Sequence, residues 1–242
     1  MSLTRRRLHR VVAAIVLASL SSVAYSLDAV GEVSALYREK VDRRLEVPAE
    51  ETESYAQLTE EALNRAGVLP IQAQFIAVVD RDPNVQALLL FWRATQGEYL
   101  LIGASPVSTG RPGSFDHFET PLGVFEHTTA NPDFRAEGTR NGNGIRGYGA
   151  KGLRVYDFGW QFALRGWGDG GVSQMRLQMH STDPDLLEPR LGSAQSKGCI
   201  RISTSLNRLL DHYDVLDADY ERALSDGRRR WVLDAQREPV AN

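Results

Sequence analysis

The sequence has little of three things: cysteine, excess charge of one sign and long apolar runs. One cysteine, Cys199, stands among 242 residues, so no disulfide can form within the chain. Lys and Arg number 28 against 31 Asp and Glu, which gives a formal net charge of −3. This near balance provides no electrostatic footprint for nucleic acid, and we expect no nucleic-acid partner.

The longest uncharged apolar run lies at the N-terminus. It covers 11–20, follows five basic residues and precedes small residues at 21–26. This order is typical of a secretory signal peptide, with cleavage after Ala24 or Ser26. The paired arginines also resemble a twin-arginine signal. The alternative is an uncleaved anchor over 11–27, at the lower limit of what crosses a bilayer. We therefore predict export to the periplasm or cell envelope, with membrane contact only through an uncleaved segment.

Residues 27–73 are predicted to form a helical lead-in. Two amphipathic helices fit 28–67, and Gly67 stands where a helix would end. The segment is interpreted as a small appendage or a spacer, and most simply as a solvated lead-in without chemistry. Residues 74–235 follow as the main domain and 236–242 as a tail.

The main domain alternates short β-type runs with turns, which predicts a mostly β fold with a few helices. The predicted strands cover 75–79, 86–95, 99–103, 122–128, 153–158, 161–164, 176–180, 199–202 and 231–233. A helix is predicted over 203–213, with its leucines on one face. The glycine-rich segment Asn131–Lys151 is predicted to be a surface loop, and loops of that length tend to be functional.

Cys199 and His180 are the candidate catalytic pair. A thiol nucleophile needs an imidazole to take its proton, a third group to fix the imidazole tautomer, and donors for the oxyanion. His180 ends one predicted strand, and Cys199 follows a glycine at the start of another. Taken alone, the pattern leaves catalysis open beside two structural alternatives, an inert buried cysteine and an ordinary core histidine.

Two further histidines, His117 and His127, have acidic neighbours and raise the question of a metal site. No compact ligand spacing accompanies them, and thiol catalysis requires no metal. They are interpreted as solvated loop histidines. We expect neither a metal nor a cofactor.

Four motifs carry a family resemblance over about 74–233. They read Ser-Thr-Gly at 108–110, Thr-Pro-Leu-Gly-Val-Phe at 120–125, His-Ser-Thr at 180–182 and Ser-Lys-Gly-Cys-Ile-Arg at 196–201. In this order they resemble the L,D-transpeptidases of bacterial cell walls, the YkuD family. The resemblance implies a sandwich- or barrel-like β domain.

The resemblance also implies roles for the residues of the motifs. Cys199 would be the acylated nucleophile and His180 its base, with the imidazole oriented through the backbone carbonyl of Ser181. Backbone donors at Gly198 and Cys199 would form the oxyanion hole. Arg201 would hold a substrate carboxylate, the alternative for it being a surface ion pair.

Ser196 and Lys197 are further candidates for contact with substrate. Lys197 stands where the family usually has histidine. Its ammonium would favour the Cys199 thiolate if it lay nearby, or would point into solvent.

The expected function is acyl transfer on peptidoglycan stem peptides through a thioester on Cys199. An L,D-carboxypeptidase or a cross-link hydrolase would use the same residues. Hydrolysis differs from acyl transfer only in that water reaches the acyl-enzyme. A non-catalytic wall-binding module is the alternative from another class. The sequence does not indicate the oligomeric state.

Overall fold

The computed structural model describes residues 12–16, 27–68, 72–227, 231–234 and 236–240. The strands are β1 Val12–Val16, β2 Gln74–Asp80, β3 Ala87–Arg93, β4 Tyr99–Pro106, β5 Val124–Glu126, β6 Phe134–Arg135, β7 Arg154–Leu164, β8 Val172–Ser181 and β9 Ile200–Ile202. The helices are α1 Leu27–Lys40, α2 Ala49–Ala66, α3 Thr204–His212 and α4 Ala218–Ser225, with a short 3₁₀ helix at Glu188–Arg190.

The strands form two sheets. The first has the order β4-β3-β2-β1-β5, and the second has the order β6-β7-β8-β9. The largest group of buried side chains draws on both sheets, from Phe75 and Leu88 in the first to Leu177 and Ile200 in the second. The predicted mostly β fold with a few helices is confirmed.

The first sheet is buried on both faces at its centre. Every residue of β2 and of β3 is buried, which explains why these segments are continuous apolar runs without alternation. β2, β3 and β4 pair antiparallel in sequence order. A strand covered on both faces has few polar positions. For this reason the sequence predicts the bounds of β2 and β3 to within two residues.

β1 belongs to the segment predicted as a signal peptide. It lies between β2, with which it pairs antiparallel, and β5, with which it pairs parallel. The rest of the predicted signal, including both cleavage positions, lies outside the described residues. The signal peptide therefore stays a prediction. Across the part of the chain that the structure describes, we find no helix with the length and apolar character needed to cross a membrane.

Both N-terminal helices pack against the sheets. From α1, the side chains of Val30, Val33 and Tyr37 are buried in the main core, and the Tyr37 hydroxyl lies 2.5 Å from the Ser105 hydroxyl of β4. From α2, Tyr55 donates a hydrogen bond to Asp80 of β2 at 2.6 Å. Through these contacts both helices are packed on the β domain, which differs from a solvated spacer held apart from it.

The second sheet has one face in the core and one face outside it. Leu177 and Met179 of β8 and Ile200 of β9 join the core, so their neighbours in the strand point the other way. β8 and β9 run parallel, with Met179 opposite Ile200 and His180 opposite Arg201. Both candidate catalytic segments thus meet at adjacent strand ends.

Several sequence expectations need correction. Residues 231–233 form a turn, not a closing strand, and α4 was not predicted. The two strands predicted over 153–164 are one long strand, whose pairing shifts between Asp157 and Trp160 around Gly159, at a φ of +76°. The segment 131–151 is more than a surface loop, because it contains β6 and buries Asp133 and Ala136.

Candidate active site

The turn before β9 places Cys199. Gly198 adopts a φ of +130°, where a side chain would also stand 2.7 Å from the Met175 sulfur, so only glycine fits. Ser196 fixes the same turn: its hydroxyl donates to the Cys199 carbonyl at 2.6 Å and accepts from the Gly198 amide at 3.0 Å. The turn therefore has a single conformation imposed from both sides.

The two upstream motifs support this turn from below. A Cβ on Gly110 would lie 2.1 Å from the Phe118 carbonyl oxygen and 3.0 Å from the Cα of Gly198. The Thr120 hydroxyl accepts a hydrogen bond from the Gly110 amide at 2.8 Å and donates one to the Gly198 carbonyl at 2.7 Å. The motifs at 108–110 and 120–125 thus build the support of the Cys199 loop.

Cys199 and His180 lie on the same outer face of the second sheet. In the parallel register Arg201 stands opposite His180, so Cys199 falls opposite Gln178, one pair of residues earlier on that face. Strand spacing puts the Cα atoms of Cys199 and His180 about 8 Å apart. This separation is within reach of a cysteine and a histidine side chain that turn toward each other.

The His180 imidazole is buried and held through Nδ1. This nitrogen lies 2.5 Å from the carbonyl oxygen of Ser181. Because a carbonyl can only accept, Nδ1 carries the proton and Nε2 keeps its lone pair. Burial lowers the pKa of His180 to about 4, the hydrogen bond to Ser181 opposes that shift, and the positive charge of Arg201 adds to it. The ring is therefore neutral at neutral pH.

The Cys199 thiol is half-buried and protonated at rest. Burial raises its pKa to about 11, against opposing contributions from the Gln178 backbone amide and the charge of Arg201. The thiol donates to the Arg176 carbonyl, with the sulfur 3.8 Å from that oxygen. A hydrogen bond between the sulfur and His180 is not among the contacts of the described residues.

Arg201 lies beside both members of the pair, and its charge acts on both pKa values. Its Nη1 donates to the Gln195 carbonyl at 3.3 Å, while its buried Nε has no partner within the described ranges. The same ranges contain no ion pair to Arg201. Its guanidinium therefore keeps donors for a group supplied from outside.

Lys197 points away from the sulfur. Its ammonium pairs with the Asp116 carboxylate at 2.8 Å, and both side chains are more than half exposed. The positive charge that opposes the rise in the Cys199 pKa comes from Arg201 instead. Of the two options for Lys197, the structure shows the solvent-facing one. Contacts of Lys197 and of the internally bonded Ser196 with substrate stay predictions.

The two proposed oxyanion donors differ. The Gly198 amide already donates to the Ser196 hydroxyl. The Cys199 amide has no acceptor in the portion of the chain described here, so it is the donor that remains available. An oxyanion at this site would be met first by the Cys199 N–H.

The sequence analysis did not identify three polar residues next to the pair: Tyr148, Gln178 and Asp157. The Tyr148 ring meets the His180 ring edge to face, at 4.7 Å between centroids, and its hydroxyl donates to Gln178 Oε1 at 2.9 Å. Gln178 in turn donates to Asp157 at 2.9 Å. The period-two alternation of β8 could have indicated Gln178, but nothing local indicates Tyr148, which arrives from the glycine-rich loop.

Gly149 explains how that loop comes so close. Its φ is +82°, and a Cβ there would stand 3.0 Å from the Ser181 side chain and the Thr182 carbonyl. The Arg146 amide also donates to Asp183 at 2.9 Å. The loop therefore lies directly on the strand end that carries His180.

His127 is not a solvated loop histidine, which corrects the sequence interpretation. It is completely buried, with Nδ1 2.8 Å from the Leu216 carbonyl and Nε2 2.9 Å from Asp133. His117 is more exposed, with Nδ1 3.1 Å from the Arg111 carbonyl. Within the described residues no cluster of three metal-ligating side chains occurs.

Comparison with known proteins agrees with the motifs. The family model for the YkuD L,D-transpeptidase catalytic domain matches residues 75–218, which is more than half of the chain. No curated protein matched the chain. The matched range contains all four motifs and every residue of the site described above. The chain belongs to the L,D-transpeptidase catalytic domain family, whose members act on peptidoglycan.

Proposed function

We propose that this protein is an exported cysteine acyltransferase that acts on peptidoglycan stem peptides, with Cys199 as nucleophile and His180 as base. One observation carries the proposal: a neutral imidazole, with Nδ1 held by the Ser181 carbonyl, shares a sheet face with the chain's only thiol. General-base activation requires an unprotonated Nε2 that can come within hydrogen-bond reach of the thiol.

In the first half-reaction Cys199 Sγ attacks the carbonyl carbon of the L-to-D peptide bond of a tetrapeptide stem. The thiol proton passes to His180 Nε2 as the carbon–sulfur bond forms. The Cys199 amide donates to the developing oxyanion. Collapse of the intermediate breaks the carbon–nitrogen bond, and the departing terminal D-alanine takes the proton from the imidazolium. A thioester on Cys199 remains.

In the second half-reaction an amine acceptor attacks the thioester, and His180 takes its proton and returns it to sulfur. A stem-peptide amine gives a cross-link, whereas water gives the hydrolysed stem of an L,D-carboxypeptidase. The high pKa of the resting Cys199 thiol supports a mechanism in which proton transfer accompanies attack and does not precede it.

Arg201 is proposed to bind a substrate carboxylate. Its unpartnered Nε and its place beside Cys199 support this role. The same charge would favour the thiolate as it forms.

Export is supported only by the order of basic, apolar and small residues at the N-terminus, and N-terminal sequencing of protein from a periplasmic fraction tests it.

Intact mass spectrometry after exposure to a carbapenem tests the nucleophile, because family members accept these compounds as acylating agents. We expect one adduct on the unmodified chain and none on Cys199→Ala. His117→Gln, a change at a partly exposed histidine, is the matched control for His180→Gln and should acylate normally. An unmodified chain that never acylates would favour the wall-binding module.

Digestion of purified muropeptides with and without an amine acceptor then identifies the reaction. A product joined to the acceptor indicates transfer. A product shortened by D-alanine in both samples indicates hydrolysis. Loss of either product in Cys199→Ala assigns the reaction to this thiol.

A further inference from the structure

An exposed apolar stripe continues the catalytic face of the second sheet. Its members are Trp160, Phe162 and Leu164 of β7 and Val172 of β8, with 61%, 69%, 45% and 61% of their surfaces exposed. Large apolar side chains that are exposed next to one another commonly mark a binding surface, whereas single exposed ones do not. We call these four residues the aromatic stripe.

The pairing of β7 with β8 puts the stripe on the same face as the active site. Trp160 stands opposite Arg176, and Asp157 stands opposite Gln178, because the bulge at Gly159 adds one residue to β7. Without that extra residue, Trp160 and Asp157 would point to opposite faces. The bulge therefore aligns the stripe with the face that carries Gln178 and His180.

The two halves of this face differ in access. Tyr148 covers the half near His180, where its ring meets the imidazole and its hydroxyl meets Gln178. The half beyond Arg176 is open. Cys199 lies at the boundary, and its thiol points toward the Arg176 carbonyl on the open side. A polymeric substrate that brings a carbonyl to Cys199 would therefore run along the stripe.

We propose that the aromatic stripe binds the glycan strand of peptidoglycan while its stem peptide enters the Cys199 site. This inference rests on the proposed function and names the part of the substrate held outside the reacting centre. Sugar rings have apolar C–H faces and hydroxyls at their edges. Flat aromatic side chains bordered by polar side chains suit that mixture.

The borders of the stripe have this polar character. Gln174 is exposed opposite Phe162, and Arg176 is half-exposed opposite Trp160. The Arg176 guanidinium lies 6.0 Å from the centre of the Trp160 ring and pairs with Asp157 at 2.8 Å. Arg176 thus lies beside the Trp160 ring and offers donors there. The continuity with the active site favours substrate over a membrane surface or a second copy of the chain.

The test measures binding without turnover. Cys199→Ala protein is titrated with peptide-free glycan strands, prepared by amidase digestion of sacculi, and affinity is read by calorimetry. Trp160→Ala with Phe162→Ala should weaken binding about tenfold or more, because exposed aromatic anchors dominate such surfaces. Trp231→Ala is the matched control, since Trp231 is 64% exposed and lies outside the sheet. It should leave the affinity unchanged.

The outcomes separate this proposal from the proposed function. Because the titrated protein lacks the thiol, glycan binding does not depend on whether Cys199 reacts, and carbapenem acylation is scored on its own. Equal affinities for the stripe variant and the Trp231→Ala control overturn the proposal. Two other results would also overturn it. One is binding to phosphatidylethanolamine–phosphatidylglycerol vesicles that depends on the stripe, without any binding to glycan. The other is a dimer that forms in the unmodified chain and is lost in the stripe variant. Circular dichroism confirms that each variant is folded.

Discussion

Two histidines are buried in the part of the protein that the structure describes, and their surroundings give them opposite character. His180 contacts one acceptor, the Ser181 carbonyl, and burial lowers its pKa to about 4. Around His127, burial alone would also disfavour the charged ring. The charge of Asp133 and its hydrogen bond, followed by the charge of Asp217, outweigh that effect and raise the pKa of His127.

The hydrogen bonds of His127 lead to the same conclusion. Both ring nitrogens face acceptors, the Leu216 carbonyl on one side and Asp133 on the other, so both carry protons. Arg154 joins the cluster by pairing with Asp133 at 2.7 Å and with Asp217 at 2.5 Å. Burial therefore does not make a histidine a base. A base needs one ring nitrogen that carries no proton, and of the two buried histidines only His180 has one.

Replacement of the two histidines should break the comparison most visibly in activity. His180→Gln removes the proton acceptor, and we expect carbapenem acylation of Cys199 to slow about a thousandfold. His127→Gln removes no group from the Cys199 face, so the folded fraction should acylate at nearly the normal rate. Stopped-flow or quenched acylation kinetics at neutral pH measure both. Similar losses in the two variants would contradict the assignment.

The stability effects should run the other way. Asp133→Asn leaves His127 and Arg154 buried with one fewer compensating charge, and breaking a buried charge network costs about 3–5 kcal/mol. Asp116→Asn, at an exposed carboxylate paired with Lys197, is the matched control and should change the free energy of unfolding far less. Urea unfolding at neutral pH distinguishes the two. A small effect of Asp133→Asn would mean that the cluster is not a charged network.

The pH dependence of stability should also differ in sign. His180 has a folded pKa below its unfolded value of about 6.5, so its contribution is complete above that pH and is lost as pH falls toward about 4. The shift corresponds to about 3 kcal/mol. The folded pKa of His127 is raised, so its contribution is complete below the unfolded value and is lost as pH rises through the folded one.

Unfolding free energies of the unmodified chain, His180→Gln and His127→Gln, measured from pH 4 to pH 10, check these signs. Relative to His180→Gln, the unmodified chain should lose stability as pH falls from 7 to 4. Relative to His127→Gln, it should lose stability as pH rises above 7, through the raised folded pKa of His127. A curve parallel to that of His180→Gln below pH 7, or to that of His127→Gln above pH 7, would show that folding does not shift the pKa of that histidine.

The difference between the histidines also marks where sequence reasoning stops. Local pattern identified β2 and β3, because strands buried on both faces are continuous apolar runs, and motif order identified the Cys199 turn. His127 was misread because its partners Asp133 and Asp217 reach it through tertiary folding. Tyr148 was missed for the same reason: a glycine-rich loop has no periodicity that indicates which residue it will place on a distant strand.

The smallest expected effect concerns Lys197, the position that departs from the family pattern. Its ammonium is exposed and paired with Asp116, and the charge that lowers the Cys199 pKa comes from Arg201. We expect Lys197→Ala to acylate within about twofold of the unmodified chain, because exposed ion pairs transmit little free energy. Arg201→Gln should slow the same reaction far more, since it removes the positive charge beside the sulfur. If Lys197→Ala were the slower of the two, the cation that assists the thiol would be Lys197, and its resting contact with Asp116 would have to break during catalysis.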